Sequence, residues 1–185
     1  MKFDIVLADP PWDFETWSDK GRDRSPDYPL MDLADIMMLP VKDITSDNSV
    51  LFLWCTNPFM PLVEAVMDRW GFKYSTKAFC WVKKNKVANT PFMGLGYWTR
   101  ANPEDCWLGT KGSPKRRSKG VKQLVISRLG EHSSKPVVVK HRIVELMGDL
   151  PRIELFARDV TPGWHAIGYD VDGRDIRDSI HDYIE

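Results

Sequence analysis

The sequence predicts an α/β fold with a largely parallel sheet, and three observations carry the prediction. Short apolar runs of the kind found in strands covered on both faces occur at Phe3 to Ala8, Ser49 to Cys55 and Arg152 to Ala157. Segments with apolar residues at helical spacing lie between and after them. Pro and Gly punctuate the joins, so strands and helices alternate along the chain.

Taken in order, Phe3 to Ala8 is broken only by Asp4 and closes at Asp9-Pro10-Pro11. Residues 13–29 are polar, rich in Asp, Arg, Ser and Pro, and read as a mobile loop. Asp32 to Leu39 is a short helix stopped by Pro40. Ser49 to Cys55 is the second buried strand. Pro61 to Trp70 is a helix: Pro61 suits its first turn, Leu62, Val63, Val66, Met67 and Trp70 share a face, and Gly71 closes it. Strands follow at Tyr74 to Val82 and around Glu104 to Leu108. Residues 109–122 (GTKGSPKRRSKGVK) carry Gly, Ser, Lys and Arg but no acid, and read as a loop. Pro136 to Met147 is a helix begun by Ser133 or Ser134 and ended by Gly148. Arg152 to Ala157 and His165 to Val171 are strands. Asp175 to Ile184 carries Ile176, Ile180, Tyr183 and Ile184 on one face, as an amphipathic helix does. That face can pack on the core or on a second copy, so a homo-oligomer is open.

The length of 185 residues fits one domain over 1–185. Lys plus Arg and Asp plus Glu both total 26, so net charge makes no case for a polyanion partner, and any nucleic-acid surface must be local. Cys55, Cys80 and Cys106 are odd in number and widely spaced, which fits neither a disulfide framework nor a CxxC metal pattern and points to a reducing, cytoplasmic compartment. The four His have no metal-ligand spacing, so no metal is expected. The opening apolar run is too short and too acidic for a signal peptide, and nothing approaches the ~18 apolar residues of a membrane span.

Asp9-Pro10-Pro11-Trp12 is the sharpest motif. In an open α/β sheet, ligands bind beyond the carboxyl ends of the strands, which is where this turn lies. An aromatic amine on a purine is a poor nucleophile, because its lone pair is delocalised into the ring. A carboxylate (Asp9) and a rigid backbone carbonyl (Pro10) that accept its N–H groups draw the nitrogen towards tetrahedral geometry and free that pair. Trp12 offers a face for a flipped base to stack on. The bland alternative is a proline-capped strand end with Trp12 folded onto the core.

The motif and its surroundings resemble the DPPW-type (β-class) adenine-N6 methyltransferases, the family that includes the catalytic subunit of the eukaryotic messenger-RNA adenosine methyltransferase and many bacterial and phage members. The resemblance spans nearly the whole chain: Tyr28-Pro29-Leu30-Met31, LFLWCTNP (Leu51 to Pro58), GYWTR (Gly96 to Arg100), WLGTKG (Trp107 to Gly112), Glu131-His132-Ser133-Ser134-Lys135-Pro136, then RIVELMGDLPRIELFAR (Arg142 to Arg158) and Gly163-Trp164. It implies a Rossmann-like S-adenosylmethionine-dependent methyltransferase fold with helices on both faces. It also implies a permuted order, catalytic motif before cofactor motif. The eight residues before Asp9 agree, since a nucleotide-binding βαβ unit needs about 30.

On that resemblance Asp9, Pro10, Pro11 and Trp12 are the catalytic candidates, and Phe156 and Arg158 line the cofactor. Lys135 either pairs with the cofactor's carboxylate or sits by the acceptor base. Gly168 and Asp170 are further cofactor candidates, with one departure: Tyr169 and Asp170 stand where many relatives carry Asn then Glu or Gln. Asn57 is either a ligand contact or a turn residue before Pro58. Tyr28, Trp98 and Arg100 are candidates for contact with the nucleic acid. Lys111, Lys115, Arg116, Arg117 and Lys119 of the basic loop are candidates for phosphate contact. The expected activity is direct methyl transfer to the N6 amine of adenine, in DNA rather than RNA, in a bacterial or phage-infected cytoplasm. Two rivals are a non-catalytic nucleic-acid-binding partner subunit and an enzyme acting on the amine of cytosine. Asp9 argues against both.

Overall fold

The structure, a computed structural model, describes residues 1–12, 30–96, 98–130 and 134–184. The loop expected at 13–29, with Tyr28, lies outside the described residues, as does Ser133. Seven strands form one mixed sheet: β1 (Phe3–Ala8), β2 (Thr45–Cys55), β3 (Lys73–Lys84), β4 (Glu104–Lys111), β5 (Leu124–Arg128), β6 (Arg152–Leu155) and β7 (His165–Ile167), in the order β5-β3-β4-β2-β1-β6-β7. β1 pairs in parallel with β2 and β6, β6 with β7, and β3 with β5. β4 alone runs against its neighbours, β2 and β3.

β1 is central because nearly every side chain in it is apolar and both faces are covered. Phe3, Val6 and Ala8 join one core cluster and Ile5 and Leu7 the other. The first cluster is roofed by α1 (Leu33–Met38), α2 (Val63–Arg69) and α5 (Ile176–Ser179) through Ile36, Val63, Val66, Met67 and Ile176. The second is roofed by α3 (Val137–Met147) through Val139, Ile143 and Met147. Helices therefore cover both faces, as the resemblance implies. Burying each of these large apolar side chains stabilises the fold by about 1.5–3 kcal/mol.

The element ends show what the sequence pattern missed. Asp32 caps α1 by accepting the Asp35 N–H at 2.9 Å. A 3-10 turn over Asn57–Leu62 precedes α2, so Pro61 sits in that turn and not at the start of a longer helix. α3 is entered at Pro136 with no side-chain cap, so Ser134 does not begin it. The segment at 165–171 is strand only to Ile167, and α4 (Tyr169–Asp172) starts after Gly168. The C-terminal segment is α5 and a 3-10 turn (Ile180–Tyr183) in place of one helix. Ile176 and Ile180 are in the core, with Tyr183 and Ile184 packed against it, so that face is spent within the chain. β5, which follows the basic loop, is a strand that the sequence pattern does not announce. Among the described residues no helix is long and apolar enough to cross a membrane.

Candidate active site

Strand direction decides which residues meet. Ala8 pairs with Leu53 on one side and Leu155 on the other, so Asp9 emerges between the ends of β2 and β6. The chain leaves β1 for a neighbour on one side and later returns on the other, the arrangement that opens a crevice at the carboxyl ends. β4 is antiparallel, so its first residue belongs to that same edge: Cys55 pairs with Asp105 and Trp81 with Glu104.

There Asp9, Lys135, Glu104 and Lys83 form a chain of alternating charge. Lys135 Nζ lies 2.7 Å from Asp9 Oδ2 and 2.9 Å from Glu104 Oε1, and Lys83 Nζ lies 2.8 Å from Glu104 Oε2. Lys135 Nζ also stands 5.6 Å from the centre of the Trp54 ring. The Asp9 side chain keeps 18% of its surface exposed and Glu104 keeps 9%, so Asp9 is the member that opens outwards. Burial raises the Asp9 carboxyl above the ordinary range and Glu104 adds to this, against the opposing pull of Lys135. Burial would also raise Glu104, but Lys135 and Lys83 together hold it below the ordinary value. Burial alone would lower Lys135, yet Asp9 and Glu104 hold it firmly protonated. Lys135 is therefore a fixed cation, not a base.

The rest of the motif is tied into the turn by hydrogen bonds. The Pro10 carbonyl accepts the Trp12 N–H at 2.9 Å and keeps a second lone pair, while the Pro11 carbonyl accepts the Met31 N–H at 3.0 Å. Trp12 departs from the stacking role expected of it. It is 5% exposed, stacked on Phe59 at 5.2 Å, and its indole N–H donates to the Trp54 carbonyl at 3.2 Å. As placed it fixes the turn and offers no open face.

Beside Asp9 lies an open cleft lined by Pro11, Met31, Phe156, Ala157, Arg158, Gly168, Tyr169 and Asp170 among others. Phe156 has φ +60, a left-handed conformation that costs a bulky residue about 1–3 kcal/mol and persists only where its surroundings enforce it. Gly168 is required by close approach: a Cβ there would stand 2.5 Å from the Ala157 carbonyl oxygen and 2.7 Å from its nitrogen. Arg158 offers a cation, Asp170 an acceptor for ribose hydroxyls, and Phe156 and Tyr169 apolar surface. These residues fit a nucleoside joined to a charged amino acid. Tyr169 is 57% exposed on the cleft wall, so the departure from the family pattern changes the lining without closing it. Asn57 is exposed at the start of its 3-10 turn and is not among the lining residues.

Trp98 and Arg100 lie on the loop joining the end of β3 to the start of β4, at the catalytic edge. Both are exposed, Trp98 completely. The basic loop is not beside the cleft. Lys111 is the last residue of β4, pairs with Ser49 at the opposite edge, and spends its ammonium on the Thr45 hydroxyl at 3.1 Å and the Lys42 carbonyl at 3.2 Å. Beyond it the Ser113 N–H donates to Asn48 at 2.8 Å and the Arg117 N–H to Leu146 at 2.7 Å, at the far end of α3. Lys115, Arg116 and Lys119 are carried on this anchored loop. The same antiparallel strand that brings Glu104 to the site carries the basic loop away from it.

Burial, reinforced by Glu104 and Asp9, pushes the neighbouring Cys55 thiol up to about 12, and Cys106 is raised well above its usual value by burial first. Neither is a thiolate nucleophile at neutral pH.

The MT-A70 family pattern matches residues 3–170. Among known proteins, the type II methyltransferase M.MunI of a Mycoplasma species is 32% identical over 92% of this chain and 78% of its own length. The human N(6)-adenosine-methyltransferase catalytic subunit METTL3 is 30% identical over 93% of this chain, which spans 29% of that longer protein. The Arabidopsis thaliana N(6)-adenosine-methyltransferase MT-A70-like is 29% identical, and the chain spans 24% of it. A match over nearly the whole sequence, with the acidic turn opening on a cleft, leaves one conclusion: the chain belongs to the MT-A70 family, whose members are S-adenosylmethionine-dependent adenine-N6 methyltransferases.

Proposed function

We propose that the chain methylates the N6 amine of a flipped adenine in DNA, with Asp9 as the residue that grips the amine. The observation that supports this is the partly exposed Asp9 carboxylate standing between the cofactor-type cleft and the loop that carries Trp98 and Arg100. S-adenosylmethionine, held by Phe156, Arg158, Gly168 and Asp170, supplies a methyl group already activated on a sulfonium, so no covalent enzyme intermediate is needed.

The residues of this chain do the rest. Asp9 accepts one amine N–H and the free lone pair of the Pro10 carbonyl accepts the other, which orients the nitrogen and favours the positive charge that develops on it. Lys135 must yield part of its hold on Asp9 for this, and Glu104 keeps the ammonium paired as it does so. Trp98 and Arg100 hold the strand by stacking and phosphate contact. The basic loop, on the far edge, takes no part in gripping the target base.

DNA is preferred because the mycoplasmal relative, 32% identical over 92% of this chain, is a type II methyltransferase. A cytoplasm, bacterial or phage-infected, is the matching setting. The test is incubation with isotopically labelled cofactor and matched DNA and RNA oligonucleotides, followed by digestion and mass spectrometry. The reading expects N6-methyldeoxyadenosine. Methyl only in RNA would move the substrate, and methyl on cytosine, or no cofactor binding by calorimetry, would overturn the reading.

A further inference from the structure

Lys140 belongs to an apolar stretch of α3, yet its side chain is charged and only 6% exposed. Its ammonium is fully employed. It lies 2.6 Å from Glu154 Oε2 in β6, and it donates to Asp159 Oδ1 at 3.2 Å and to the Thr161 hydroxyl at 2.7 Å in the turn that follows β6. These partners flank Phe156, Ala157 and Arg158, the three consecutive residues that form one wall of the cleft. Ile153 and Leu155 point to the opposite face of the sheet, so Glu154, like Arg152, lies on the face that α3 covers. A buried amine costs several kcal/mol to desolvate, and an apolar side chain of the same shape often serves a fold as well or better. Stability alone is a weak reason for this lysine. What the contacts do is fix both ends of a segment held in a left-handed conformation at Phe156.

We propose that Lys140 is a positioning residue for the cofactor: from the back of the sheet its ammonium ties β6 to the following turn, and so holds Phe156 and Arg158 at the cleft. The proposal rests on the cleft being the cofactor site. Its members were not found by motif, since a lone lysine on a helix reads as solvent-facing until α3 is laid against β6.

The test is calorimetric binding of S-adenosylhomocysteine, with thermal unfolding and steady-state kinetics alongside. Thr161→Val removes one tether and leaves every charge paired. Lys140→Met removes all three, and Lys140→Met with Glu154→Gln also removes the orphaned carboxylate. Lys140→Met is expected to bind the probe about tenfold more weakly, the size of one lost hydrogen bond to a charged group, and to melt lower. The double variant is expected to recover the melting temperature but not the affinity. Thr161→Val is expected to lose affinity several-fold with little change in melting, and in both Thr161→Val and the double variant the KM for cofactor rises while kcat at saturation is retained. Recovery of affinity together with stability in the double variant, or unchanged affinity in Thr161→Val, overturns the proposal. Arg158→Ala and Asp170→Ala serve as controls: if they too bind the probe normally, it is the location of the cofactor that is wrong.

Discussion

Glu104→Gln removes the charge that stops Lys135 from belonging wholly to Asp9. In the native protein one ammonium serves both carboxylates at 2.7 and 2.9 Å, so the contacting oxygens are no more than about 5.6 Å apart. At that separation and an effective dielectric of about 20, like charges repel by about 3 kcal/mol before screening. This repulsion acts with burial to raise Asp9, so its removal lowers the pH at which Asp9 ionises. A second consequence opposes the first at neutral pH. A lysine left with a single anionic partner grips it harder, and the incoming amine must compete for Asp9. The expected result is a fall in kcat/KM of about tenfold or more, equivalent to about 1.4 kcal/mol or more of lost transition-state stabilisation, with the acid limb of the profile displaced to lower pH. The assay is methyl incorporation into an adenine-containing oligonucleotide between about pH 5 and 9, with S-adenosylhomocysteine affinity as a control on the fold. An acid limb that stays in place refutes the coupling. A loss of activity that follows the loss of folded protein assigns Glu104 to stability alone.

Further expectations follow from the same geometry. Gly168→Ala drives a methyl into the Ala157 backbone, so the β6 turn must shift: S-adenosylhomocysteine affinity should fall at least about tenfold and stability by about 1–3 kcal/mol, read by calorimetry and urea unfolding. Arg100→Ala should raise KM for the oligonucleotide and flatten its salt dependence, whereas Lys115→Glu with Arg116→Glu should leave methylation of a short single strand unchanged, because that loop lies across the sheet. Asp9→Asn should stabilise the fold relative to the native chain as pH rises. A carboxyl raised on folding contributes nothing while protonated in both states and weakens the fold progressively as pH rises from the unfolded carboxyl's ordinary value to the raised folded one, with no further change above it, so urea midpoints of the two proteins should coincide in acid and separate towards neutrality, with the variant higher.

Much of this site was legible because it follows a strand directly. The apolar run Phe3 to Ala8 ends where β1 ends, so Asp9 could be placed at a carboxyl edge from sequence alone, whereas Phe156 and Arg158 were indicated only by the family resemblance, because the apolar run reads as strand through Ala157 while β6 ends at Leu155. What could not be read was direction. Apolar alternation around Glu104 predicts a strand but is the same pattern forwards or backwards, and only the antiparallel pairing of β4 brings Glu104 to Asp9 and sends Lys111 to the other edge. A weakly patterned edge strand such as β5, with only Val125 fully buried, carries too little periodicity to separate from the basic loop before it. Trp12 shows a third limit: an aromatic after a catalytic turn suits stacking or packing equally, and its contacts with Phe59 and Trp54 are tertiary.

The central claim is that the Asp9 carboxylate holds the amine during transfer and does not merely seat Lys135. The direct measurement is single-turnover methyl transfer to an adenine oligonucleotide at saturating cofactor, comparing the native chain with Asp9→Asn while S-adenosylhomocysteine binding is measured on the same preparations. The account predicts a rate lower by at least about 100-fold with the fold and cofactor affinity largely kept, as expected for removing a preorganised charged acceptor. A variant that transfers methyl within a few-fold of the native rate contradicts it.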